Sequence, residues 1–337
     1  MSGISTKMLQ AAAGGGLEVA WNLSFAYYDP PESLAGDLST AVYANKFFSA
    51  ATQDTDITCV SFKPDGTKMY IIGRATDAVF EYDLSVAWDV STASYLQNFS
   101  IFSQQQDGQG LFFKPDGTKM YVLGLSGDRV SEYDLSAAWD VSSASHVQNI
   151  SVNSEDSVPL GIFFKPDGTK MYVAGNSGNA IYEYDLSTAW DISTVSFLQE
   201  RRVSAQEETP CGIFFKTDGT KMYVVGRTTG DAVYEYDVGT PWDVSTASYS
   251  QSFSVASRAT TPGGIFFSPS GGGFYITDLD NERVYQYTLG GFSVSAQETS
   301  PTGLFFKPDG TKMYVVGSSG DAVNEYDLSS AWDVSSA

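Results

Sequence analysis

Short apolar runs recur along the whole chain, each closed by Gly, Pro or Asp, and no long stretch with the 3.6-residue rhythm of a helix separates them. One copy around Lys216 shows the unit. "CGIFFK" predicts a first strand, "KMYVVG" a second, "AVYEYDV" a third and "SYSQSFSV" a fourth, all rich in β-branched and aromatic residues. Between the first two strands most copies place Pro-Asp-Gly, in which Pro presets φ for a turn and Gly accepts the positive φ at its end. A Gly-rich corner such as "GSSGD", residues 317–321, joins the second strand to the third, and a longer polar loop such as "GTPWDVSTA" joins the third to the fourth.

Aligned on the residue that opens the Pro-Asp-Gly turn, the copies begin at Lys63, Lys114, Lys165, Lys216, Ser268 and Lys307, in steps of 51, 51, 51, 52 and 39. Repeats of that length with four short strands predict an all-β fold, a six-bladed β-propeller of four-stranded units. The last copy ends in "AWDVSSA", where its fourth strand is due, and a segment matching that strand, "AGDLSTAVYANKFFSA", occurs at residues 35–50. The expectation is that this N-terminal strand completes the C-terminal blade and so removes two open edges. In the 39-residue step the chain runs from "RVYQY" into "TLGGFSVSAQE", read as a Gly-Gly turn replacing the longer loop. Residues 1–38 are expected to form an attachment arm and 39–337 the propeller; Ala20–Tyr28, "AWNLSFAYY", resembles a decayed partial repeat.

Charge narrows the partners. Forty acidic against 19 basic residues leave a net charge of −21, which repels phosphate backbones, so no nucleic acid is expected as a ligand. No run of 18 apolar residues predicts membrane insertion. A signal peptide is not read in the first residues, because Gln10 and Gly14 to Gly16 interrupt the apolar stretch. Cys59 and Cys211 fall in different repeats, so a disulfide between them is not expected.

Two sets of equivalent positions are the candidates for ligand binding. Asp77, Asp128, Asn179, Asp231, Glu282 and Asp321 open the third strand of successive copies and would present oxygens to one face, as a cation or ligand ring needs. Asp is equally favoured there for backbone hydrogen bonding in a turn. Trp88, Trp139, Trp190, Trp242 and Trp332 recur in the longer loop. Their indoles would either stack on sugars, as in a multivalent lectin, or fold back over the end of their own blade. The lysine pairs of the "KPDGTK" copies either meet an acidic partner or protect exposed hairpins.

Catalysis has little support at this level. His146 is the only histidine, and near-identical blades give symmetry rather than division of labour, so neither an enzymatic role nor a metal or other cofactor is expected. A carboxylate-held metal of the kind used by lactonase-like hydrolases needs no histidine and stays as an alternative.

The phrase "GLFFKPDGTKMYVVGSSGDAVNEYDLSSAWDVSS", Gly303 to Ser336, resembles in outline the YVTN-like and NHL-like propeller superfamily. More closely it resembles the "KPDGTKMYVVG" repeat proteins of marine bacteriophages and aquatic bacteria, over residues 39–337, and "MSGISTKMLQAAAG" is similar to the starts of phage structural proteins. The resemblance implies a virion protein, a capsid decoration or tail adhesin without enzymatic activity. Other virion proteins would be its partners through the arm, and a glycan or host receptor would be met by the propeller. It passes no catalytic residue to this chain. A multivalent lectin outside a virion is a further alternative.

Overall fold

The structure, a computed structural model, describes residues 37–289 and 301–327, with 308 and 321 excepted. The first described strand, β1 (Ala41–Ser49), is followed by β2 (Ile57–Phe62), β3 (Lys68–Gly73), β4 (Ala78–Leu84) and β5 (Ala93–Ser100). The next two repeats give β6 (Gly108–Phe113), β7 (Lys119–Gly124), β8 (Arg129–Leu135) and β9 (Ala144–Ser151), then β10 (Pro159–Phe164), β11 (Lys170–Gly175), β12 (Ala180–Leu186) and β13 (Val195–Arg202). The fourth gives β14 (Pro210–Phe215), β15 (Lys221–Gly226), β16 (Ala232–Val238) and β17 (Ala247–Ser254). The fifth repeat has β18 (Pro262–Phe267), β19 (Gly273–Asp278) and β20 (Arg283–Leu289), and the sixth β21 (Pro301–Phe306), β22 (Lys312–Gly317) and β23 (Val323–Asp327). Among the described residues these strands make six antiparallel sheets, five of four strands and one of three, in the repeated arrangement of a β-propeller.

Each hairpin follows from its turn. In the first repeat the Gly66 amide donates to the Lys63 carbonyl at 2.8 Å, Asp65 accepts from the Thr67 amide and hydroxyl at 3.0 and 2.6 Å, and Lys63 pairs with Asp65 at 2.7 Å. The same turn in the second repeat holds Gly117 at φ +74°, and any Cβ there would lie 2.3 Å from the Trp139 indole. Glycine is therefore required twice over, by the left-handed backbone and by the indole laid across it.

The innermost strands β2, β6, β10, β14 and β18 pack side by side in a cycle, with β18 returning to β2. They approach so closely that a Cβ on Gly161 would meet the Cys211 carbonyl at 2.9 Å. Hydroxyls bolt four of the five blade junctions: Tyr70 donates to the Trp139 carbonyl, Tyr121 to Trp190, Tyr172 to Trp242 and Tyr275 to Trp88, each at 2.7 Å. The last of these runs from the fifth repeat to the first. Fully buried aromatics such as Phe164 and Phe215 fill the gaps between blades, each worth about 1.5–3 kcal/mol relative to an exposed ring.

The N-terminal strand does not complete the C-terminal blade, as its sequence led us to expect. β1 pairs with β20, as Val42 opposite Thr288 and Lys46 opposite Gln286, and supplies the fourth strand of the fifth sheet. Charge explains the choice. In the second repeat the central pair is Glu132 opposite Gln148, with Lys119 on the second strand; in the fifth these places hold Gln286, Lys46 and Gly273. The lysine has moved to the outer strand, where it reaches Asp89 of the first blade at 2.7 Å. Asp37, at the end of the expected arm, accepts from Gln251 of the fourth blade at 2.8 Å. The Gly-Gly turn read after "RVYQY" and the rest of the arm lie outside the described residues.

The three-stranded sixth sheet keeps the same side chains in another setting. Leu304 is 61% exposed, whereas its counterpart Ile213 in the fourth blade is 4% exposed. Val316 and Val323 are likewise exposed where Val225 and Val233 are buried.

Candidate functional site

The axis is the first place to look in a propeller. Here it is lined by all five inner strands, among them Cys59, Ser61, Phe112, Phe163, Phe214 and Phe266, around a cavity of about 30 Å³. That is room for about one water. Neighbouring phenylalanines touch edge to face at 5.1 to 5.4 Å, so the four rings plug the channel. Both cysteines face this cavity from non-adjacent blades, as free thiols whose pKa burial pushes up to about 11.

The tryptophans sit between blades. The Trp190 indole lies over Gly168 of its own blade and stacks on Phe112 and Tyr121 of the preceding one; Trp242 does the same with Gly219 and Phe163, and Trp88 with Gly66, Phe266 and Tyr275. Trp139 packs on Gly117, Tyr70 and Phe113. In place of open sugar platforms, the four described indoles meet protein rings. Trp332 lies outside the described residues, as does Asp321.

The acidic set marks a backbone position. Asp77, Asp128, Asn179, Asp231 and Glu282 all have φ between +46° and +50°, where Asp and Asn are the tolerated non-glycine residues. Each carbonyl accepts an amide from the end of its blade's fourth strand, for example Asp231 from Val255 at 2.7 Å. Desolvation, with neighbouring carboxylates, raises the pKa of Asp77, Asp128 and Asp231. Among the described residues no three acids, histidines or cysteines converge as a metal needs.

A second row of acids on that face is buried and already satisfied. Asp156 accepts from the Gly178 amide at 2.8 Å and the Val158 amide at 2.8 Å, and Glu207 from Thr209 at 2.7 Å and the Thr228 hydroxyl at 2.7 Å. These side chains clamp the turn between second and third strands. The lysines of the opposite face are paired as well: Lys114 with Asp116 at 2.7 Å, and Lys119 with Glu132 and Asp134, both at 2.6 Å.

Symmetry is broken in the fourth blade. Its corner between β15 and β16, "GRTTGDA", is one residue longer than "GNSGNA" in the third blade, so that Gly226 and Ala232 stand six apart where Gly175 and Ala180 stand five apart. On the outer strand Ser252 and Ser254 face Tyr234 and Ala232. The third blade has Glu200 and Arg202 at those ladder positions, bridged to each other at 3.2 Å. Two small residues and a longer corner open a concavity of about 450 Å³, lined by Ala205, Gln206, Thr229, Gly230, Tyr234, Tyr249 and the two serines. That volume lies within the range of about 300–1,000 Å³ usual for small-molecule sites. Its sequence signal was the 52-residue step, one more than its neighbours.

Comparison with known proteins adds the following. No family model matches this chain. No curated protein matches it either. Among solved structures it is similar to a functionally unknown protein from Desulfotomaculum acetoxidans, at 11% identity over 81% of this chain and 83% of that one, with a TM-score of 0.43. It is similar to the Swd1 β-propeller domain of Myceliophteria thermophila, at 11% identity over 74% of this chain and 100% of that one, TM-score 0.43. It is also similar to the periplasmic gluconolactonase of Pseudomonas aeruginosa, at 15% identity over 83% of this chain and 71% of that one, TM-score 0.41. The expectation of a chain without enzymatic activity is corrected by that last name, which puts a hydrolase among the proteins it is similar to. At these identities the likeness is one of general fold and carries no residue across. Among the described residues, no helix is long and apolar enough to cross a membrane.

Proposed function

We propose that this chain recognises a small ligand, free or as the end of a larger one, in the outer concavity of its fourth blade. The observation that supports the reading is the concavity itself, about 450 Å³ opened by Ser252, Ser254 and a lengthened corner in an otherwise regular ring. The test transplants the third blade's solution. Ser252→Glu with Ser254→Arg rebuilds the Glu200–Arg202 bridge inside the concavity, and both serines stand on an outer strand at partly or fully exposed positions, so folding is spared. Saturation-transfer NMR on the full chain, with probes spanning neutral sugars, amino acids, nucleosides, dicarboxylates and a sugar δ-lactone, should find at least one that the double variant releases. A probe set bound equally by both proteins, or by neither, would sink the reading. Ring opening of the lactone, followed in the same tubes, reads hydrolysis directly.

Display of the propeller on a virus particle, with other virion proteins held through the N-terminal segment and a host surface as the target, is the companion proposal. The wording of the repeats supports it, and purified particles that lack this chain by mass spectrometry would overturn it.

A further inference from the structure

We propose that the ligand class of the fourth-blade concavity is a neutral saccharide, an inference that rests on the concavity being a ligand site. The lining is free of charge: no Asp, Glu, Lys, Arg or His contributes to it, in a chain that carries 40 acids and 19 basic residues. An anionic ligand would find no cation to pair with inside a net field of −21, and a cationic one no carboxylate on the wall. An apolar ligand would strand the polar groups that remain, which is costly.

Those groups match a polyol. The Tyr236 hydroxyl donates to Gln206 Oε1 at 3.3 Å, which orients the amide and leaves its NH2 to donate into the concavity. The Tyr249 hydroxyl donates to Ser252 Oγ at 3.3 Å, so that Ser252 keeps its own proton to give and the tyrosine oxygen can accept. Ser254 Oγ donates to the Gly230 carbonyl at 3.4 Å, accepts from the Ala256 amide at 3.4 Å and keeps one lone pair. The lining thus offers both donors and acceptors, as sugar hydroxyls, each both donor and acceptor, require. Two aromatic rings complete the wall. Tyr234 is fixed by its hydroxyl on the Thr229 carbonyl at 2.7 Å, and Tyr249, 44% exposed, offers a face to the C–H side of a pyranose.

The counterpart positions of the second and third blades differ. The third blade fills the space with its Glu200–Arg202 bridge. The second puts Ser131 and His146 where the two tyrosines stand.

The experiment titrates the full chain by saturation-transfer NMR and calorimetry with methyl hexosides and neutral disaccharides, the same sugars bearing a carboxylate or phosphate, and nucleosides. Expected is binding of neutral sugars with the strongest saturation on one C–H face. Tyr249→Ala should weaken it about tenfold and Tyr249→Phe by less, since stacking outweighs one hydroxyl; the Ser252→Glu, Ser254→Arg double variant should abolish it. Charged sugars or nucleosides released by the double variant while neutral sugars stay silent would overturn the saccharide assignment and leave the site standing. Silence of every probe would overturn both.

Discussion

Replacing Glu132 by alanine should cost the ring about 3 kcal/mol. The carboxylate is 2% exposed and has three tasks. It pairs with Lys119 at 2.6 Å, accepts from Gln148 of its own outer strand at 2.9 Å, and accepts from the Ile192 amide of the next blade at 3.2 Å. Gln148 in turn donates to Asp191 of that next blade at 2.8 Å. Breaking a buried pair costs roughly 3–5 kcal/mol, and Lys119, which keeps Asp134 at 2.6 Å, brings the figure to the low end. Urea unfolding followed by both fluorescence and circular dichroism measures it, as about a hundredfold fall in the folding equilibrium constant. The sixth sheet contains the control. Its matching carboxylate, Glu325, which pairs with Lys312, is exposed, so Glu325→Ala should leave the transition of the ring unmoved. Glu132→Gln should fall between, and adding Gln148→Lys together with Lys119→Gly should recover stability, since Gln286, Lys46 and Gly273 make that arrangement work in the fifth blade. A loss below about 1 kcal/mol for Glu132→Ala, or equal losses at Glu132 and Glu325, would refute the idea that this carboxylate couples blades.

Gly117→Ala meets both a left-handed backbone and the Trp139 indole, and should lower the melting temperature well beyond the effect of Gly272→Ala, where a Cβ meets nothing closer than 3.5 Å; calorimetry decides. Stability should also depend on acid. Burial raises the Asp65 and Asp116 pKa, but the lysine and threonine hydrogen bonds outweigh it and hold both at about 2. Because the folded values lie below the unfolded value near 3.9, their contribution is complete above about pH 4 and disappears as pH falls through about 2. Urea midpoints should therefore stay level from pH 7 to 5 with respect to these groups and decline between about pH 4 and 2, and a decline from these groups already at pH 6 would contradict this. Cys59 and Cys211, with burial pushing both thiols to about 11, should resist iodoacetamide at pH 8 in the folded chain and react fully once it is unfolded.

The local grammar of the fold could be read in the chain. Pro-Asp-Gly, "KMYVVG" and "AVYEYDV" name a turn and two strands, and the repeat length names the architecture. Which sheet the N-terminal strand joins was not legible, because two third strands, "RVYQYTL" and "VNEYD", offer similar edges. The clue lay in Lys46, Gln286 and Gly273, three departures far apart in the chain whose relation appears only when the register sets them together. The acidic row left a ligand ring and a turn position both open in the sequence; its regularity coincides with a left-handed turn position, as the φ values show. Tryptophan in a polar loop left a sugar platform and a fold-back over the blade both open; the glycine turn across from it makes room for the indole. The concavity was hidden because it is built from what is missing, two serines in place of a salt bridge.

The fifth sheet is completed by β1 lying against β20, and a cross-strand disulfide reads that contact directly. Val42 and Thr288 are paired Cα partners, and directly opposed strand residues have the separation a disulfide needs. Val42→Cys with Thr288→Cys should oxidise quantitatively to an intramolecular bond in the native full chain, seen as a mass loss of two hydrogens and a linked peptide after proteolysis. Preferential oxidation of Val42→Cys with Asp327→Cys, the matching position on β23, would place the strand on the C-terminal sheet and contradict the β1–β20 pairing.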